Sequence, residues 1–267
     1  MGVRIVTVRD ASQGAEKRIV RVGGLSGAWI IARRELSASF DSWIAYVYTI
    51  AFVLLANSVF MNEFFLVGTV DMTGYFDLMP LLLPVFLPAI TMRLWAEERK
   101  QRTIEMLLTM PIRPMQAVLG KYLAALALLA LMVAGSLPIV IMLATLGHPD
   151  MGLVLGGYLG VLAFGAQFLA IGMFLSSLVS DQIVAFVTTS VTIFLFVLLG
   201  DERVVAVLDG LAPDLSAGTW MYEHVSVMPH YEAFVRGVIG LPAVVYFAGS
   251  AALFLWLTAV ALERKRA

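Results

Sequence analysis

Six stretches of this chain are long and apolar enough to cross a bilayer, and that rules out most other folds. A spanning helix needs about 20 mainly apolar residues, because the hydrocarbon core is ~30 Å thick and a helix rises ~1.5 Å per residue. The stretches are residues 43–61, 75–95, 118–146, 152–178, 183–200 and 238–262. The chain is 60% hydrophobic and 14% charged, whereas soluble domains average ~45–50% and ~25%. A soluble bundle of the same helices would need polar faces, and these segments have almost none. The expected fold is therefore an all-α integral membrane protein with six transmembrane helices. The third stretch is long enough to tilt, and Pro138 can kink it. The fifth is short but uncharged, with Asp181 placed to cap its start.

Lysine and arginine orient the set, because loops rich in them stay in the cytoplasm. Seven precede the first span: Arg4, Arg9, Lys17, Arg18, Arg21, Arg33 and Arg34. Six lie at or near the second connection: Arg93, Arg99, Lys100, Arg102, Arg113 and Lys121. Arg264, Lys265 and Arg266 follow the last span, and the opposite side holds only Arg203 and Arg236. Both termini are expected in the cytoplasm. The first 24 residues are polar and basic, with no apolar run, so no cleaved signal peptide is expected. They read as a polar cytoplasmic extension, and the first span as the targeting signal.

Two connections on the charged side have helical patterns. Residues 25–42 read as an amphipathic helix, with Leu25, Trp29, Ala32, Leu36 and Phe40 on one stripe and Arg33, Arg34 and Ser37 facing away. Such a helix lies in the membrane interface or packs on a cytosolic partner, and the pattern fits both. The segment from Ala96 to Met115 starts charged and turns apolar. Glu98 and Arg102 stand four apart with the acid first, which supports a helix, and Pro111 and Pro114 stop it. Its apolar end, Ile104 with Leu107 and Leu108, directly follows the charges. That order favours a docking element over a solvated charge run.

On the other side, residues 201–237 are too long and apolar for a bare loop. Val204, Val205, Leu208 and Leu211 fit one helical face, and Phe234, Val235 and Val238 another. Short outer-face helices are expected, with Trp220 and Tyr222 suited to the membrane boundary. Within the spans, Gly156 and Gly160 form a small-residue pair of the kind that lets helices approach closely. Pro80, Pro84 and Pro88 recur every four residues and free the carbonyls of Phe76, Pro80 and Pro84. Such carbonyls need partners, so this face is either a wet pathway lining or a packing face.

The chemistry expected of an enzyme or pump is missing. Apart from Arg93, near one end, the span interiors read as free of ionisable groups, which disfavours ion-coupled transport. Gly120-Lys121 is followed by Tyr122, so no phosphate-binding loop forms there. No cysteine is present, and His148, His224 and His230 read as loop histidines, so no metal site is expected. The scattered methionines read as gap-filling core residues. A chain of this kind needs an outside energy source if it moves anything.

At this point the sequence resembles a family. The run Met92-Arg93-Leu94-Trp95-Ala96-Glu97-Glu98-Arg99, then Thr103-Ile104-Glu105-Met106-Leu107-Leu108-Thr109-Met110-Pro111, then Gly120-Lys121-Tyr122, resembles the signature of ABC-2 type transporter permeases. Within them it is similar to the gliding-motility-type branch, related to the nitrous-oxide-reductase-maturation permeases. Ile44-Ala45-Tyr46-Val47, residues 170–178, Gln182-Ile183-Val184-Ala185 and residues 230–239 also match, so the resemblance covers about residues 25–265. Lys100-Gln101-Arg102 departs from it, since relatives often carry a small residue and Gly before the Thr.

The resemblance implies a permease subunit of an ATP-driven, exporter-like transporter in a bacterial-type cytoplasmic membrane. It implies a dimer with a second permease copy or homologue, and two cytoplasmic ATPase subunits that hold the ATP and Mg. This chain would bind no cofactor and no nucleic acid. Residues 97–110 would be the coupling helix, with Glu97, Glu98, Arg99, Arg102 and Glu105 in polar contacts beside Thr103, and Ile104, Leu107 and Leu108 in an apolar seat. Residues 25–42, with Trp29, Arg33, Arg34, Leu36 and Phe40, would be the elbow helix. An accessory membrane protein with an extracytoplasmic domain often accompanies that branch. The alternative is an ATPase-driven transmitter or scaffold that acts on such a partner without moving a solute.

Overall fold

The apolar stretches are helical, the third as two helices with a break between them, in the computed structural model, which describes residues 3–9, 16–22, 24–68, 70–101, 114–211 and 217–264. The helices are α1 (Gly24–Asp41), α2 (Trp43–Val67), α3 (Thr73–Lys100), α4 (Pro114–Ala134), α5 (Leu137–Leu146) and α6 (Met151–Leu178). They continue with α7 (Gln182–Leu198), α8 (Glu202–Leu211), α9 (Ala217–His224), α10 (Met228–Val235) and α11 (Leu241–Glu263). Five units among the described residues are long and apolar enough to span a membrane: α2, α3, α4 with α5, α6 and α11. A sixth arises if α7 and α8, bent by 79° at their junction, form one broken span. With 17 residues, α7 reaches only ~26 Å at ~1.5 Å per residue, short of a full crossing. Asp181 caps its first turn, accepting from the Ile183 amide at 2.8 Å and the Val184 amide at 3.3 Å.

Helix α6 is the axis of the bundle. Its most apolar stretch is 67% buried, against 22% for α2, which lies at the periphery. Aromatic side chains fill the space around it. The Phe164 ring lies tilted against Phe168, with centres 4.7 Å apart, and meets Tyr231 edge to face at 5.3 Å. Gly156 and Gly160 do receive a close neighbour, but not a spanning helix. A Cβ on Gly156 would stand 2.6 Å from the Phe234 carbonyl, and one on Gly160 2.7 Å from the Phe234 Cβ. The small pair therefore seats the short helix α10.

Backbone groups freed inside the bundle find partners. The third span breaks at Gly135 and Ser136, before Pro138, which stands in the first turn of α5 where it sacrifices no helical bond. Asn57 donates to the Gly135 carbonyl at 3.1 Å, and the Ser136 and Tyr158 hydroxyls meet at 2.6 Å. Pro80, Pro84 and Pro88 are all buried in α3. The Tyr231 hydroxyl donates to the Phe76 carbonyl at 2.6 Å, and the Ser190 hydroxyl to the Pro84 carbonyl at 2.7 Å. Both carbonyls are ones whose helical donor a proline has removed.

The connection over residues 201–237 contains three short helices, α8, α9 and α10. Val204, Val205 and Leu208 are half-buried, and Asp209 of α8 accepts from the Gly218 amide at 2.7 Å and the Thr219 hydroxyl at 2.6 Å. Phe234 and Val235 are buried, but Val238 is 61% exposed and leaves their face, because the chain turns at Gly237 in the left-handed region. His230 stacks on Tyr246 with ring centres 4.3 Å apart.

Residues 1–24, to which the sequence pattern assigns no element, contain a two-stranded antiparallel ribbon. Val3–Arg9 (β1) pairs with Glu16–Val22 (β2), in a register that sets Val3 opposite Val22 and Arg9 opposite Glu16.

Candidate functional site

At one end of the bundle, α3 runs past its apolar part and carries charges into the start of α2, the start of α4 and the end of α6. Arg93 opens this stretch. Its Nε pairs with Glu97 at 3.1 Å, one turn on, and its Nη1 donates to the Ser42 hydroxyl at 3.1 Å. Trp95 is fully buried. The amides of Trp95 and Ala96 reach the Ser176 Oγ at 3.3 and 3.2 Å, and that hydroxyl donates back to the Met92 carbonyl. Arg99 donates to the Ser177 carbonyl at 3.0 Å. A cation at a helix C-terminus satisfies carbonyls left without a helical donor and opposes the negative end of the dipole.

The centre of the site is Lys121, in the second turn of α4. Its side chain is only 3% exposed. The ammonium lies 2.8 Å from Glu98 of α3 and 3.4 Å from Glu35 of α1, and 5.1 Å from the centre of the Trp95 ring. An ammonium buried alone loses several kcal/mol of hydration, roughly recovered only when opposite charges and an aromatic face surround it. The expectation of spans without interior charge is corrected here. Lys121 lies inside the third span, and it is tolerated because three partners enclose it.

Gly120 explains how α1 comes near enough. A Cβ there would stand 2.6 Å from the Ile31 Cβ and 2.8 Å from the Ala28 carbonyl. The two helices thus touch backbone to backbone, and Glu35, one turn beyond Ile31, falls beside Lys121. Ala28 and Ala32 form the buried face of α1. The stripe expected on that helix is split: Leu36 packs partly against the core, while Trp29 is 66% exposed and Phe40 also faces outward. Arg33 and Arg34 are exposed.

Of the residues assigned to the coupling helix, the structure brings Glu98 into the node, ties Glu97 to Arg93 and ties Arg99 to α6. Arg102, Thr103, Ile104, Glu105, Leu107 and Leu108 lie outside the described residues. Lys121, Glu35 and Trp95 are the residues that sequence patterning passes over as a site. Lys121 counts there only as an orientation marker, and Glu35 is hidden beside two arginines. The available signal is a lone lysine set in an apolar run, directly after a glycine.

The family described as ABC-2 family transporter protein matches residues 67–260, most of the chain, and takes in the candidate spans after α2. No curated protein matches it.

Proposed function

Because the chain belongs to the ABC-2 family of transporters, we propose that it is the permease subunit of an ATP-driven, exporter-like transporter of the gliding-motility-type branch. In this reading both termini face the cytoplasm of a bacterial-type cell, as the lysine and arginine distribution supports. Two separate ATPase subunits bind ATP and Mg, and a second permease copy or homologue completes the membrane part. An accessory protein with an extracytoplasmic domain meets the outer helices α8, α9 and α10.

One observation carries the reading: the charged tail of α3 is tied to α1, α4 and α6 through Lys121, Arg99 and Ser176. Force applied by an ATPase to residues 97–110 then moves four helices together instead of bending one. The ion cluster supplies stiffness, because separating it leaves the buried Lys121 ammonium without its partners.

The test uses the residues of that segment beyond the node. A Glu105→Arg, Leu108→Asp variant is expected to lose co-purification of the ATPase in mild detergent and to lose transport-linked ATP hydrolysis. The thermal melting temperature of the permease itself should stay within a few degrees. Unchanged assembly and unchanged hydrolysis in this variant overturn the proposal.

A further inference from the structure

Beside the node, α1, α2, α3 and α4 form a cavity of about 260 Å³ that shares Glu35 with the Lys121 cluster. Its walls have two characters. Arg93, Ser42 and Tyr48 line it with Glu35 and Glu97, whereas Ala45, Ile90 and Leu128 provide an apolar side. The volume lies just under the ~300–1,000 Å³ of sites for small molecules, so it suits a headgroup and leaves no room for long chains.

The polar groups have capacity to spare. Arg93 uses Nε on Glu97 and Nη1 on Ser42, and its Nη2 has no hydrogen bond among the described residues. The Tyr48 hydroxyl has none there either. A guanidinium with a second donor nearby matches a phosphate oxygen pair. Counting the ion pairs that reach the wall, the carboxylates of Glu35, Glu97 and Glu98 outnumber the cations of Arg93 and Lys121 by one, so an occupant with a net negative charge meets repulsion, whereas an ammonium is attracted. The site stands level with the first turn of α2, where the apolar span begins, and the periphery of the bundle at α2 is open to lipid.

We propose that this cavity binds the headgroup of a zwitterionic phospholipid, with the phosphate on Arg93 and Tyr48 and a primary ammonium on Glu97 and Glu35. The acyl chains lie outside the cavity in the bilayer. The lipid then wedges α2 against α1 and α3, where direct packing is thin. The inference concerns binding alone, and its outcome is read without any ATPase present.

The full chain, purified in mild detergent and stripped of lipid, is offered equal amounts of phosphatidylethanolamine and phosphatidylglycerol and weighed by native mass spectrometry. One phosphatidylethanolamine per chain is expected to survive release, in at least tenfold excess over phosphatidylglycerol. Arg93→Gln removes the phosphate partner, and Ala124→Leu fills the cavity while leaving every polar group in place. Each is expected to lower retention at least tenfold, with Arg93→Lys keeping most of it. Equal retention of the anionic lipid overturns the proposal, as does unchanged retention in Ala124→Leu. Displacement by equimolar glycerophosphoethanolamine also overturns it, since a site for a free headgroup has no need of chains. If Arg93→Gln does not fold, the cavity-filling variant and the lipid competition decide.

Discussion

The Tyr231 hydroxyl sits 2.6 Å from the Phe76 carbonyl, the acceptor that Pro80 leaves without its helical donor. A residue of the short helix α10 thus completes the backbone bonding of a spanning helix. A buried carbonyl without a partner costs about 1–3 kcal/mol. Tyr231→Phe is therefore expected to destabilise the protein by roughly that amount, read as a lower melting temperature in detergent. Pro80→Ala gives the Phe76 carbonyl the helical amide donor that the native proline lacks. In the double variant the cost of losing the hydroxyl should shrink by half or more, and a strictly additive pair of effects would refute the assignment.

Lys121 offers a second cycle. Lys121→Met leaves the Glu98 and Glu35 carboxylates, whose side chains are only 20% and 23% exposed, without the ammonium they share. Removing one member of a buried ion pair costs about 3–5 kcal/mol. The Lys121→Met, Glu98→Gln pair should recover part of that loss, because an isolated amide is cheaper to bury than an unpaired charge. Chemical denaturation of the purified chain measures both. Equal stability of the wild type and Lys121→Met contradicts the buried cluster.

Gly120 makes a steric claim. A valine there drives its side chain into Ile31 and the Ala28 carbonyl, and helix α1 must lift from α4. Gly120→Val is expected to expose the amides of α1 to hydrogen exchange and to weaken the Glu35 contact with Lys121. Ile31→Ala in the same chain relieves part of the overlap, though not the part made by backbone. Exchange rates in α1 that do not change would disprove the close approach.

His230 gives a pH dependence. Burial pushes its imidazole below the ordinary value of 6.5, with the Ser226 backbone pulling weakly the other way. The folded protein then takes up this proton later than the unfolded chain as pH falls. The contribution to stability is complete above the unfolded value and is lost as pH drops from about 6.5 through the folded value. His230→Phe keeps the stack on Tyr246 and removes the proton. Its melting temperature should fall less than that of wild type between pH 7.5 and 5, and parallel curves would rule the linkage out.

Much of this architecture is legible in the sequence, because hydropathy reports what lipid demands and lipid demands it of every span. The Asp181 cap and the proline face in α3 were readable for the same reason: a lone acid before an apolar run and missing amides at a fixed spacing have few solutions. The Lys121 node is less legible. Its three partners come from positions 35, 95 and 98, and nothing in local patterning links a glutamate that follows two arginines to a lysine 86 places on. The Gly156 and Gly160 pair was visible, but its partner was not, because small residues state that something approaches and not what. The ribbon of Val3–Arg9 and Glu16–Val22 is hard to see in the sequence, because basic residues interrupt its short apolar runs.

The order of the Lys121 contacts along the chain bears on how the protein is made. Glu35, Trp95 and Glu98 all precede the lysine, so each has left the ribosome before the lysine does. A growing chain can neutralise that ammonium as soon as the third span emerges, without waiting for the second half of synthesis. Truncation after residue 150 should therefore still give a fragment that retains its third span in the membrane, whereas the same fragment with Glu35→Ala and Glu98→Ala should release it to the aqueous side more often.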